Sequence, residues 1–246
     1  EIDEMIEVRR KEANQEKWGL AQIMGVKWTR HLLFIGIILG LADQVTGINT
    51  AMYYTPKVLS AAGLPMSDAI SLNVVSGFVS FVGSAIGLWL GTKFARRHVD
   101  IYQEASIVVS LGLLAAVFYF LIQPYQDADG NIAGAPTFAP YLVLLIVSLF
   151  VFAKQSGTVT WVLVAEIFPA KVRGTAMGLA VGTLWIGNAI VAAVFPVMME
   201  KLGGAGTYLI FCLLNVLSLI FYMKFVPETK YHSLEELEAR FEKEYS

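Results

Sequence analysis

A chain of 246 residues that is 56% hydrophobic and 15% charged, with a mean hydropathy of +0.61, is too apolar for a soluble domain of its size and reads as an integral membrane protein. A net charge of −2 supplies no basic patch for counterion-driven binding, so no nucleic-acid partner is expected. The single cysteine, Cys212 in an apolar run, excludes a disulfide framework or a thiolate metal cluster built from this chain alone.

Residues 1–25 are charged, with Ile2, Met5, Ile6 and Val8 interspersed, and predict a cytosolic linker or a short helix lying against a membrane domain. No short apolar core or small-residue cleavage site marks a signal peptide. Glu1 falls in what reads as the middle of an amphipathic helix, so a fragment of a longer protein is expected. Six apolar segments follow, near 31–58, 68–92, 101–123, 138–166, 174–199 and 206–226. They make 26–226 an all-α membrane unit of six transmembrane helices. Fifteen of the 18 Lys and Arg residues fall on one face of this arrangement, and the opposite loops hold only Lys57 and Lys201. The positive-inside bias then puts both termini in the cytoplasm of a multi-pass protein of the cytoplasmic membrane. Residues 227–246 predict a cytosolic amphipathic helix, with Ser233 and Glu236 as a capping box and Leu234, Leu237 and Phe241 as the apolar stripe.

The first segment is polar near mid-depth, where Asp43, Gln44, Thr46 and Asn49 interrupt the apolar run. A central Asp costs about 2.5 to 3.5 kcal/mol in lipid, so such residues mark a cavity or pathway. Gly47 among them lets the helix unwind, which is tolerated at membrane depth only where backbone lines a cavity or is buried in protein. These features predict a solute site on a broken helix. Lys154, inside the fourth segment, precedes Trp161 by seven residues and shares its helix face.

Four separated motifs carry a resemblance. Gln44-Val-Thr-Gly47-Ile-Asn49-Thr-Ala-Met-Tyr53-Tyr54 resembles the seventh-helix signature of the sugar porter family of the major facilitator superfamily. Lys93-Phe-Ala-Arg96-Arg97 resembles that family's basic loop between helices eight and nine. Trp161-Val-Leu-Val-Ala-Glu166-Ile-Phe-Pro169 with Arg173-Gly174 is similar to its tenth-helix motif, and Pro227-Glu228-Thr229-Lys230 to its terminal signature. The resemblance covers the chain as the C-terminal half of a family member, helices seven to twelve. It implies a second six-helix unit, the N-terminal half or a second copy, as partner.

By that resemblance Gln44 and Asn49 hydrogen-bond solute hydroxyls and Trp161 packs on a sugar ring. Trp185 lines the cavity, with Asn188 almost one turn beyond it. Tyr53 and Tyr54 resemble the family's exterior gate, and Arg96, Glu166, Arg173 and Glu228 its cytoplasmic charge network. The chain departs from the pattern at several positions: Asp43 stands where Gln is usual, Ser80 where Asn is, Thr158 and Thr160 where Pro is, Thr92 where an acid is, and Ala95 and Tyr231 where Gly is. Ser80 is shorter than Asn, which puts its reach to a sugar in question. If the seventh and tenth helices face each other, as the resemblance implies, an Asp43 to Lys154 ion pair is expected, one that orients the solute, responds to pH because a buried Lys can lose its proton, or acts as a plain tether.

The expected function is one half of a monosaccharide or polyol porter working by alternating access, with lipid bilayer and solute as partners and no cofactor. A non-transporting membrane sugar sensor is the alternative. An enzyme is not expected, because His31, His98 and His232 fall at predicted ends or loops with no motif-supported nucleophile. Proton coupling stays open, because the family's coupling acid lies in the N-terminal half.

Overall fold

The structure, a computed structural model, describes residues 18–127, 132–157, 159–230 and 234–245. Most of the expected 1–25 region, Thr158, Tyr231 and the capping residue Ser233 lie outside the described residues. Described elements begin with a short helix α1 (Leu20–Gly25), opened by the Gly19 N–H donating to Gln22 Oε1 at 2.7 Å.

The first crossing is two helices, α2 (Lys27–Val45) and α3 (Ile48–Ser60), in one apolar span of 34 residues. They part at Gly47, whose φ of 78° is left-handed and costs an L side chain about 1–2 kcal/mol. Side chains support the break locally: Thr46 Oγ1 donates to Asp43 O at 2.7 Å, and Thr50 Oγ1 donates at 2.6 Å to Gly47 O, which also accepts the first backbone hydrogen bonds of α3.

Helix α4 (Met66–Lys93) buries only small residues, Ala69, Ser76, Gly83 and Gly87. A Cβ on Gly87 would lie 2.7 Å from Ser156 O, so the glycine allows backbone-to-backbone approach to the neighbouring crossing. Helix α5 (Arg96–Val117) runs on into a π-helical turn, Phe118–Ile122. The fourth crossing is again broken, into α6 (Ala139–Ser156) and α7 (Val159–Ile167), at Gly157.

The last apolar tract, α8 (Ala170–Phe225), is 56 residues long. As a straight helix it would span about 84 Å, nearly three times a bilayer core of about 30 Å. It reverses at Gly203, where φ is 67° and ψ 179°. Val172 and Ala176 from its start share one apolar cluster with Tyr222 near its end, while Phe195 and Ala205 flanking the break belong to another. The tract is therefore two crossings, and the bundle has six. Sequence segments five and six coincide with its two arms.

After α8, helix α9 (Leu234–Tyr245) turns back onto the bundle. Its Leu237 and Phe241, one turn apart, are 2% and 1% exposed in the cluster that holds Ile23, Trp28 and Val226. His31, which lies within α2, stacks on Tyr245 at 4.2 Å. Two apolar clusters thus fill the two ends of the bundle, and between them lies a buried polar layer that includes Asp43, Gln44, Asp100, Gln103, Glu104, Lys154 and Thr160.

Candidate functional site

Both broken crossings border one cavity of about 220 Å³, lined by Asp43, Gln44, Asn49, Lys154, Trp161 and Trp185 among others. Discontinuous helices beside a mid-bundle cavity are the architecture in which secondary transporters hold solute. A row of hydrogen bonds crosses its wall. Asn49 Nδ2 donates to Gln44 Oε1 at 2.6 Å, and Gln44 Nε2 donates to Asp43 Oδ2 at 3.1 Å. Lys154 Nζ donates to Asp43 Oδ1, the two side chains being 10% and 9% exposed.

The row continues away from the cavity. In the amide orientation that suits its neighbours, Gln103 accepts from Lys154 Nζ at 3.2 Å and donates to Gly157 O at 3.0 Å. A Cβ on Gly157 would overlap the Gln103 amide, so the helix break and the absent side chain together make room for that amide. Thr160 Oγ1 donates to Asp100 Oδ1 at 2.8 Å.

The aromatic lining is open where the amides are closed. Trp161 and Trp185 are 46% and 61% exposed, against 4% for Gln44. Tyr53 is also exposed, whereas Tyr54 donates its hydroxyl to Ala192 O at 3.0 Å and stacks on Phe195. Ser80 and Asn188 do not line this cavity. Ser80 sits half-buried on α4 with its carbonyl accepting from Ser84 Oγ, and Asn188 is buried on α8 with its Oδ1 unpartnered.

At the end of the bundle near α9, Arg96 pairs with Glu166. Glu228 accepts from the Arg96 and Arg97 backbone N–H groups at 3.1 and 3.0 Å, placing an anion on the N-terminus of α5. Lys230 Nζ donates to Thr92 O and Phe94 O, both at 2.9 Å, placing a cation on the C-terminus of α4. The terminal Pro-Glu-Thr-Lys run thus clamps two helix ends. Arg173, expected in the same network, instead donates Nε to Phe168 O at 3.1 Å and leaves Nη2 buried without a partner. Arg173 sits in the first turn of α8, and its acceptor Phe168 O lies in the two-residue link between α7 and α8.

Sequence reading missed Asp100, Gln103 and Glu104. A segment drawn from 101 put Asp100 on the rim, whereas α5 begins at Arg96 and carries Glu104 about 12 Å inward. An acid inside an apolar crossing was the available signal.

A sequence model described as "Sugar (and other) transporter" matches residues 1–241. The putative metabolite transport protein YncC of Bacillus subtilis is 37% identical over 98% of this chain and 48% of its own length. The major myo-inositol transporter IolT of the same organism is 32% identical over 96% of this chain and 48% of its own. Among solved structures, the proton:xylose symporter XylE bound to 6-bromo-6-deoxy-D-glucose superposes with a TM-score of 0.72 at 29% identity, covering 91% of this chain and 45% of that one. The chain spans about half the length of the curated relatives it matches. With its six-crossing bundle, two broken crossings and this match across nearly the whole sequence, the chain belongs to the sugar (and other) transporter family of the major facilitator fold, as a C-terminal half.

Proposed function

We propose that this chain is the C-terminal half of a secondary transporter that carries a monosaccharide or polyol across the cytoplasmic membrane by alternating access. The observation that carries this reading is the meeting of two amides, Gln44 and Asn49, with two indoles, Trp161 and Trp185, on one cavity between two helix breaks. An amide offers donor and acceptor to the alternating hydroxyls of a polyol, and an indole face suits the C–H side of a sugar ring. Relatives named for myo-inositol and xylose support a small polyhydroxylated solute.

The exposed Trp161 and Trp185 support a second six-helix unit that closes the cavity, either an N-terminal half or another copy of this chain. Asp43 and Lys154 neutralise each other beside the solute and hold the Gln44 amide in register. Tyr53 and Tyr54 close the outer side. The Arg96–Glu166 pair and the unpartnered Arg173 Nη2 face the cytoplasm with both termini, forming contacts to the other half in one state and releasing them in the other. No bond is made or broken in the solute.

Uptake of labelled monosaccharides and inositol into proteoliposomes tests this, comparing the chain alone with the chain plus an N-terminal half. Saturable uptake that needs both halves and is lost in Gln44→Ala is the expected result. Solute binding without uptake or counterflow in either preparation would replace it with the sensor reading.

A further inference from the structure

The buried polar layer holds more acid than the solute site uses. Asp100 and Glu104, four residues apart on α5, are each 1% exposed. Asp100 Oδ2 and Glu104 Oε1 are buried and have no hydrogen-bond partner. The charged and titratable groups facing them come from every packed element: Asp43 from α2, Lys154 from α6, Tyr222 from α8 and Glu228 from the chain after α8, with the Thr160 hydroxyl from α7.

Among these groups Lys154 is the cation inside the layer, and its ammonium is bonded to Asp43. That pair is neutral, which leaves Asp100 and Glu104 as two adjacent carboxyls with no charge of their own to meet. Like charges at this helical spacing repel, and an unpaired buried carboxylate costs several kcal/mol, so such a group neutralises instead. A divalent cation would meet the Lys154 ammonium beside it. A proton needs no coordination shell and converts one oxygen from acceptor to donor.

We propose that the Asp100–Glu104 pair is a proton-binding site in this half of the transporter, linked to the solute cavity through Lys154. A proton from bulk water forms an O–H bond on one carboxylate, the layer loses one negative charge, and the reverse step returns the proton to water. The link follows the hydrogen-bond row, and this part rests on the proposed transport function. A solute hydroxyl that takes the Gln44 Nε2 donor frees Asp43 Oδ2, so Asp43 draws the Lys154 ammonium more strongly and away from Gln103 and the α5 acids. The α5 pair, less compensated, binds its proton more tightly. By reciprocity a bound proton favours bound solute, which is the sign required of symport.

Infrared spectroscopy of the chain paired with an N-terminal half in lipid vesicles tests both parts. At neutral pH the carboxylic-acid C=O stretch is expected in the wild type, falling as pH is raised, and the difference between wild type and the Asp100→Asn/Glu104→Gln double variant should contain that band. Wild-type spectra that hold only carboxylate stretches at neutral pH overturn the site without reference to any variant. A solute bound by the preparation should strengthen the band, and a band indifferent to that solute overturns the link. If no sugar or polyol binds, the transport reading fails, and the acid band by itself still decides whether the proton site exists.

Discussion

Two ionic regions of this bundle differ in how much water they see. In the mid-bundle layer Lys154 and Asp43 are 10% and 9% exposed, while at the α9 end Arg96 and Glu166 are 20% and 25% exposed. Removing one partner of a buried pair leaves an uncompensated charge and costs about 3–5 kcal/mol, and the less buried Arg96–Glu166 pair should lose less when it is broken. The layer should therefore hold its geometry more firmly than the rim.

The largest effect expected to probe that contrast is Lys154→Met, which should lower stability by about 3–5 kcal/mol in thermal unfolding of the purified chain. Adding Asp43→Asn should recover much of the loss, and single-variant losses that merely add would show that the two charges are uncoupled. Gln44→Ala removes a link in the row and should weaken solute binding by about 1–3 kcal/mol in a binding titration. Next comes Gly47→Ala, which forces a side chain into left-handed backbone and should cost about 1–2 kcal/mol, read as a lower unfolding midpoint. Smallest is Glu228→Gln at the rim, where losing the charge on the α5 N-terminus should cost about 0.3–1 kcal/mol and shrink further in high salt. A Glu228→Gln loss as large as that of Lys154→Met would erase the distinction between the regions.

Several parts of this architecture were legible along the chain. Apolar length marked the crossings, and the cluster Asp43-Gln44-Thr46-Gly47-Asn49 marked the first break, because polar groups and glycine in lipid demand a local reason. Heptad-like spacing put Lys154 and Trp161 on one face, and both line the cavity even though Gly157 interrupts the helix between them. Motif order did not say that Arg173 Nε would meet Phe168 O rather than an acid, because it does not say which acceptor is nearest. Ser80 and Asn188 were drawn in by resemblance, while the packing of α4 and α8 keeps them off the cavity wall.

Hydropathy, glycine placement and charge asymmetry are properties of neighbouring residues, so the order of amino acids was enough to specify the crossings, the first break and the candidate amides. Pairing is not such a property. The Asp43–Lys154 pair was expected only through a resemblance that sets two helices face to face, and Thr160 meets Asp100 across 60 positions only once α5 and α7 are packed together. Burial is likewise decided in three dimensions: Asp100 stands in the second turn of α5, a position that solvent normally reaches, and neighbouring elements close over it and over Glu104 one turn further in. Tertiary packing turned Asp100 from a rim charge into one member of a buried pair with Glu104, because exclusion of water depends on what surrounds a side chain and not on where it stands in the chain.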